Sequence, residues 1–347
     1  MAKKTTKSSS KKKSDDALHI GIDLGTSRSA IVASNGKKAW VESYVAWPKD
    51  FVAKKMLGED ILFGEKALEN RMSVTLVRPL ENGVIRDGTA RDEEAVRELI
   101  HHLIEEVGPE EGQRVQAAVG VPAEALKVNK LAIRDAVREY ADALMVVSEP
   151  FAVAYGLDAL TNAMVIDIGA GTVDFCVMHG TMPTEEDQRT LTLAGDHVDR
   201  QLKGLLEERH PEARFSETAV RHFKEQHGFV GASNGKLPMK AAIGGKMTDI
   251  DVSKELKEAC ESIVPAITET AIDLIARYDP DFQELVKKNI FVAGGGSQIK
   301  GIAEAIEDTL KEYGPCRVRV VDDPLYAGAE GALALAQDMP EEFWEDM

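Results

Sequence analysis

The residues of this 347-residue chain that could do chemistry are three glycine turns and a few carboxylates. Gly25-Thr26-Ser27, Gly169-Ala170-Gly171-Thr172 and Gly294-Gly295-Gly296-Ser297 each follow an apolar stretch. Glycine lets the backbone approach a ligand with no Cβ in the way, so its amides can point at a phosphate chain. The third turn also opens a helix in the sequence pattern, another place where anions settle. Asp23 and Asp167 end the strands before the first two turns, where both could reach a hydrated Mg²⁺. That ion keeps several waters and needs few protein carboxylates; the plainer alternative is that the two acids cap turns. Glu149, in Ser148-Glu149-Pro150, stands at the mouth of a helix after the apolar Leu144–Val147. An acid there ordinarily complements the helix dipole, and position alone says no more. Other signatures fail on spelling: Gly235-Lys236 is followed by Leu237 and Gly245-Lys246 by Met247, so there is no GxxxxGK[ST]. GxGxxG, HExxH and the kinase HRD set are also missing. The eight His are scattered, and His101-His102 reads as helix surface.

These residues need elements to hold them. Strand patterns fall at His19–Asp23, Ser29–Ala33, Gln116–Val121, Ala163–Ile168, Val173–Met178, Asn289–Ala293 and Arg317–Val321. Helical periodicity predicts helices over Asp92–Val107, Leu131–Ala143, Pro150–Leu160, Val198–Glu208, Ser216–Gln226, Ser253–Tyr278, Ile299–Tyr313 and Ala327–Gln337. Strands and helices interleave, which makes the fold class α/β. Ile22-Asp23-Leu24-Gly25-Thr26-Ser27 and Ile166-Asp167-Ile168-Gly169-Ala170-Gly171-Thr172 share one plan, and an apolar strand follows each at once. The copies start 144 residues apart, which predicts duplicated halves facing each other across a cleft.

Composition narrows the function classes. Apolar residues make up 44% and charged ones 29%, a globular balance that rules out disorder as the main state. Residues 1–14 hold six Lys and no acid, leaving 36 basic against 59 acidic residues elsewhere, a net of −23. A body so acidic repels phosphate backbones, so nucleic-acid binding is not expected. No apolar run of transmembrane length occurs, and no apolar h-region of a secretory signal precedes the first strand. Three Cys (176, 260, 316) without a CxxC fit a reducing, cytoplasmic setting. Residues 1–17 are rich in Lys, Ser and Thr, and read either as a disordered solubilising tail or as an electrostatic anchor for an anionic surface.

The segments IDLGTS (22–27), VGVP (119–122), VSEPFAVAYG (147–156), VIDIGAGTVD (165–174), GDHVD (195–199), FKEQHGFV (223–230) and FVAGGGSQIKG (291–301) resemble the actin / heat-shock-70 / sugar-kinase ATPase superfamily. The resemblance runs from about Leu18 to Ala336, and within the superfamily the wording is most like the magnetosome-associated bacterial actins. It implies an actin-like fold: two duplicated ribonuclease-H-like halves with inserted subdomains around a nucleotide cleft. The halves would be 18–160 and 161–325, with 326–347 returning to the first half. It implies ATP/ADP and Mg²⁺ as cofactors. Gly25, Thr26 and Ser27 would form one phosphate loop, and Gly169, Ala170, Gly171 and Thr172 the other. Asp23 and Asp167 would hold Mg²⁺ through water, Asp167 also serving catalysis, and Glu149 would orient the attacking water. Gly294, Gly295, Gly296 and Ser297 would flank the adenine and α-phosphate, with Lys224 and Glu225 reaching the nucleoside from the other side. Gly195 and Asp199 match the ribose-side turn more loosely.

The function so implied is an ATPase whose nucleotide cycle drives head-to-tail filament assembly and turnover, organising or positioning an organelle through adaptor proteins. A head-to-tail contact is heterologous and does not close, which makes a filament. The alternatives are a small-molecule kinase of the same fold, which needs a further base over a substrate hydroxyl, and a chaperone-like ATPase. The chain ends about ten residues after its last helix, without room for a peptide-binding domain. The Lys-rich tail departs from the amphipathic anchor of the rod-shape actins, so direct membrane insertion is not expected.

Overall fold

In the computed structural model, residues 17–85, 89–232 and 235–346 are described; the Lys-rich segment read as a tail lies outside them, apart from Ala17. The first part of the chain runs β1 (Leu18–Leu24), β2 (Arg28–Ala33), β3 (Lys38–Glu42), β4 (Val45–Pro48), α1 (Phe51–Leu57), β5 (Leu62–Phe63), α2 (Gly64–Glu69), β6 (Val74–Val77), β7 (Leu80–Glu81), β8 (Val84–Ile85), α3 (Ala90–Val107), β9 (Val115–Val121), α4 (Leu126–Val137), β10 (Ala143–Ser148) and α5 (Glu149–Gly156). The second runs β11 (Thr161–Ile168), β12 (Val173–His179), β13 (Gln188–Leu191), α6 (Gly195–Arg209), β14 (Ala213–Arg214), α7 (Glu217–His227), β15 (Pro238–Ile243), β16 (Lys246–Asp251), α8 (Ser253–Glu261), α9 (Val264–Arg277), α10 (Pro280–Lys287), β17 (Ile290–Ala293), α11 (Ile302–Leu310) and β18 (Val318–Val320). Helix α12 (Ala327–Asp338) and β19 (Glu345–Asp346) complete it.

The repeated hairpin becomes two sheets of one topology. The first is ordered β19-β10-β9-β1-β2-β3 and the second β13-β12-β11-β17-β18. Each central strand pairs antiparallel with the strand after its glycine turn, and parallel with the next strand that a crossover delivers. Asp23 therefore stands opposite Gly120, and Asp167 opposite Ala293, at equivalent points of the two halves.

Separate apolar clusters fill the two halves. Leu18, Ile20, Ile22 and Leu24 pack on the buried stripe Val96, Leu99, Ile100, Leu103 and Ile104 of α3. That helix starts at Thr89, whose hydroxyl accepts from the Asp92 amide, and stops at Gly108 in the left-handed region at φ 58°. Across the chain, Phe175, Ile166, Val292 and Ile306 anchor the other core. A third cluster joins the halves through α5 and α12, including Phe151, Val153, Val165, Ala332 and Leu335. Helix α12 lies on β1 and α5 so closely that a Cβ on Gly331 would overlap the Ala152 carbonyl.

Four predicted helices differ in extent. The segment Leu131–Ala143 is helix only to Val137, because Ala143–Ser148 is needed as a buried strand between β9 and β19. The helix expected over Pro150–Leu160 ends at Gly156, where Asp158 takes φ 53°. Ser253–Tyr278 is two helices, the second restarting with Pro265 in its first turn. The helix predicted from Ile299 begins at Ile302, since Gly301 at φ 82° forms its N-cap, and the glycine run before it makes one 3₁₀ turn, Gly295–Gln298. His101 and His102 are not open surface: they stack on Tyr140 and Phe63.

Candidate functional site

Between the halves lies a cleft of about 1030 Å³, lined by both hairpin turns. Turn one is braced from behind. The Gly25 carbonyl accepts from Ser43 Oγ at 2.6 Å and Ser29 Oγ at 3.4 Å, and the Thr26 carbonyl accepts from Arg78 Nε at 2.8 Å. A trans peptide sets its C=O and N–H on opposite sides, so the Thr26 and Ser27 amides face away from these donors. Turn two is held in the same manner. The Gly169 and Ala170 carbonyls accept from the Gly195 and Asp196 amides at 3.1 and 2.7 Å, which turns the Ala170 and Gly171 amides away from α6. The turns meet at Gly171, where a Cβ would run into the Thr26 hydroxyl and the Asn82 backbone. The Thr26 hydroxyl itself accepts from the Gly83 amide at 3.1 Å, leaving its main-chain N–H as the part free to meet a ligand.

Behind the turns the carboxylates collect. Asp23, Glu149 and Asp167 all line the cleft. Glu149 is the first residue of α5, 8% exposed, and its Oε1 has no hydrogen-bond partner. Burial pushes the Glu149 carboxyl well above its ordinary pKa, and the charges of Asp23, Asp174 and Asp167 push it further. Burial and then Asp23 and Asp174 raise Asp167 likewise, and burial raises Asp23 to about 7. Such a set of acids with one orphaned oxygen is costly unless a cation is shared among them. Among the described residues no group of three or more ligating side chains is placed to hold a metal directly. Contact through water, as read from Asp23 and Asp167, is the mode this donor set fits.

Asp174 was not singled out from sequence. It stands across the hairpin from Asp167, is 1% exposed, and accepts from Thr190 Oγ1 and, at 3.0 Å, from the Ala123 amide of the first half. Burial holds it at about 6. The available signal was the second acid of Asp167-Ile168-Gly169-Ala170-Gly171-Thr172-Val173-Asp174, which faces the first only once the hairpin register is known.

The far wall comes from α6, α7 and the third turn. Lys224 is buried, with Nζ 2.8 Å from Asp199 Oδ1 and 3.1 Å from the Gly195 carbonyl, while Glu225 pairs with Arg28 at 2.9 Å. All five lie along the cleft, as do Gly294, Gly295 and Gly296. Gly294 takes φ 74°, and a Cβ there would strike Asp167 Oδ1. Ser297 departs from expectation. It is buried, its hydroxyl donates to the Gly294 carbonyl at 2.7 Å, and it does not line the cleft, because the 3₁₀ turn points its side chain inward. The neighbouring Gln298 and Ile299 line the cleft instead, as do His222 and Gln226 on the face of α7 shared with Glu225. The remaining sequence-predicted residues, Gly25, Thr26, Ser27, Gly169, Ala170, Gly171 and Thr172, all line it.

Residues 17–342 match the family model described as MreB/Mbl protein. The chain is 40% identical to the actin-like protein MamK of Magnetospirillum gryphiswaldense, over 94% of this chain and 91% of that protein. Among solved structures it superposes on a MamK double helical filament with a TM-score of 0.91 at 40% identity, covering 93% of this chain and 100% of that one. It also matches a non-polymerising MamK variant bound to AMPPNP, with a TM-score of 0.71 at 39% identity, covering 93% and 99% of the two chains.

Proposed function

The chain belongs to the MreB/Mbl family of actin-like proteins, and from that premise we propose that it is a filament-forming bacterial actin which binds ATP with Mg²⁺ in the cleft. The observation that carries this reading is the pair of braced turns over one buried set of acids, on a scaffold close to that of a MamK filament. The Thr26, Ser27, Ala170 and Gly171 amides receive the phosphate oxygens, and Lys224 and Glu225 lie beside the nucleoside with the Gly294–Gly296 turn opposite. Asp23 and Asp167 would hold Mg²⁺ through water, and the bound ion would supply charge neutralisation for the phosphates and the neighbouring carboxylates. Glu149, as its carboxylate, accepts the proton of a water aimed at the terminal phosphate. Hydrolysis marks subunits for release, and the halves 18–160 and 161–325 adjust about the α5–α12 junction as the cleft changes occupant. Assembly is head-to-tail between copies of this chain, and the filament organises an organelle, the magnetosome chain, through adaptor proteins in the cytoplasm. No helix among the described residues is long and apolar enough to cross a membrane.

Negative-stain microscopy of the purified protein with Mg-ATP, with Mg-AMPPNP and without nucleotide tests the reading. Filaments are expected with either nucleotide and sparse without, and disassembly is expected only after ATP. Nucleotide-independent polymer, or no polymer together with ATP-dependent phosphorylation of a sugar, would replace the filament reading with another.

A further inference from the structure

We propose that Arg78 is a positioning residue that sets the phosphate-facing amides of both turns at once, so that nucleotide dwell time depends on a side chain outside the cleft. The proposal rests on the ATP reading above. Arg78 follows β6 in the first half and does not line the cleft. Its guanidinium spans three acceptors: Nε donates to the Thr26 carbonyl at 2.8 Å, Nη1 to Asp196 Oδ2 at 2.7 Å and Nη2 to Asp196 Oδ1 at 3.2 Å. A planar fork of this kind fixes both direction and distance, which a lysine ammonium does not.

Each end of the strut fixes one peptide. Holding the Thr26 carbonyl fixes the direction of the Ser27 amide in turn one. Holding the Asp196 side chain fixes the first turn of α6, whose Asp196 amide grips the Ala170 carbonyl at 2.7 Å and so directs the Gly171 amide in turn two. The two amides belong to different halves of the molecule, and Arg78 bridges the elements that carry them.

The surroundings reinforce the strut. Arg78 lies 6.0 Å from the centre of the Tyr44 ring, and the Tyr44 hydroxyl accepts from Arg221 Nη1 of α7. Arg221 Nε in turn donates to Asp199 Oδ2 at 3.2 Å, with Nη2 3.6 Å from Asp196 Oδ1. Lys224 reaches the same Asp199. Three cations therefore share two carboxylates at this junction. The surplus positive charge lies beside both phosphate turns, where bound phosphates would tighten the assembly. The pair is mostly shielded from solvent, with Arg78 and Asp196 side chains 20% and 14% exposed, so salt screens it less than a surface pair.

The test uses the full chain with Mg²⁺ and a fluorescent ATP analogue, read by stopped-flow dissociation and steady-state phosphate release. Arg78→Met is expected to shorten the dwell time about tenfold, the loss of a charge-assisted, partly buried hydrogen-bonded pair. KM should rise by a similar factor while kcat falls less than threefold. Arg78→Lys should recover only part of the loss, because one ammonium cannot span three acceptors. Asp196→Asn should shorten the dwell time in the same direction, and the double variant should be no worse than Arg78→Met alone. If Arg78→Met does not fold, the isosteric Asp196→Asn carries the decision by itself. An unchanged dwell time in whichever of these variants folds overturns the proposal, as does multiplication of the two single effects. Full recovery in Arg78→Lys overturns it too, by reducing the strut to a point charge. Wild-type protein that fails to bind the analogue overturns the ATP reading and this inference with it; wild-type binding with an indifferent Arg78 overturns the inference alone.

Discussion

Replacing Glu149 by Gln separates a catalytic carboxylate from a helix-capping one, because the two roles predict opposite signs. Gln keeps the shape of the side chain and removes its charge. If Glu149 receives the proton of the attacking water, hydrolysis falls by ~10²–10⁴, the usual loss for a positioned base and about 3–5 kcal/mol of barrier. ATP binding and assembly persist, since the turns, Asp23 and Asp167 are untouched, and filaments stay loaded and exchange slowly. Stability without nucleotide adds a second readout. Glu149 is raised above its ordinary value by burial and by Asp23, Asp174 and Asp167, so the folded state holds a proton that the unfolded chain releases. Stability from this source is highest below the unfolded pKa and is lost as pH rises toward the folded one. The Gln variant carries no such proton, so it is expected to melt later than the parent protein at pH 8 and to lose that advantage at pH 5. The helix-dipole role predicts a loss of ~0.3–1 kcal/mol instead, with hydrolysis intact. Phosphate release and thermal melting at pH 5 and pH 8 decide it. A variant that melts earlier at pH 8 and hydrolyses ATP at the wild-type rate refutes the reasoning.

Other perturbations have equally definite outcomes. Asp167→Asn should weaken binding of Mg-AMPPNP by calorimetry more than binding of metal-free nucleotide; equal affinity for both would remove Asp167 from the metal's surroundings. Gly171→Ala should cost at least about tenfold in AMPPNP affinity, near 1.4 kcal/mol, because its Cβ would force Thr26 and Asn82 off the second turn; unimpaired binding would show that the turns have slack. Without nucleotide or metal, melting temperature should fall as pH rises from about 4 to 7, since Asp23 near 7 and Asp174 near 6 hold protons that the unfolded chain has lost. A rise across that range would contradict the shared cause. Subunits of net charge −17 repel one another over the ~10 Å screening length of 0.1 M salt, so pelleting should increase from low to moderate ionic strength; strongest pelleting in salt-free buffer would count against a contact opposed by charge.

Local chemistry along the chain was enough to reveal the duplicated hairpins, the α/β class and the acids at their strand ends. The reason is that a strand-turn-strand unit is contiguous: Asp23 with Gly25-Thr26-Ser27, and Asp167 with Gly169–Thr172, need no distant residue to be recognised. The sequence places Ser297 with the ligand because a glycine run hides which side chains point in, and only the 3₁₀ turn at Gly295–Gln298 sends it to the Gly294 carbonyl. The helix expected through Ala143 has local periodicity in its favour, yet it stops at Val137, and Ala143 opens the strand that pairs with β9. Asp174 faces Asp167 only by hairpin register, and Glu149 joins Asp23 only because β9 and β10 bring the start of α5 beneath the first turn. Arg78 and Asp196 are 118 residues apart and carry no pattern that links them. Their pairing depends on how the two halves pack, and that is set by burial of α5 and α12 between the sheets, a long-range term that no window of sequence contains.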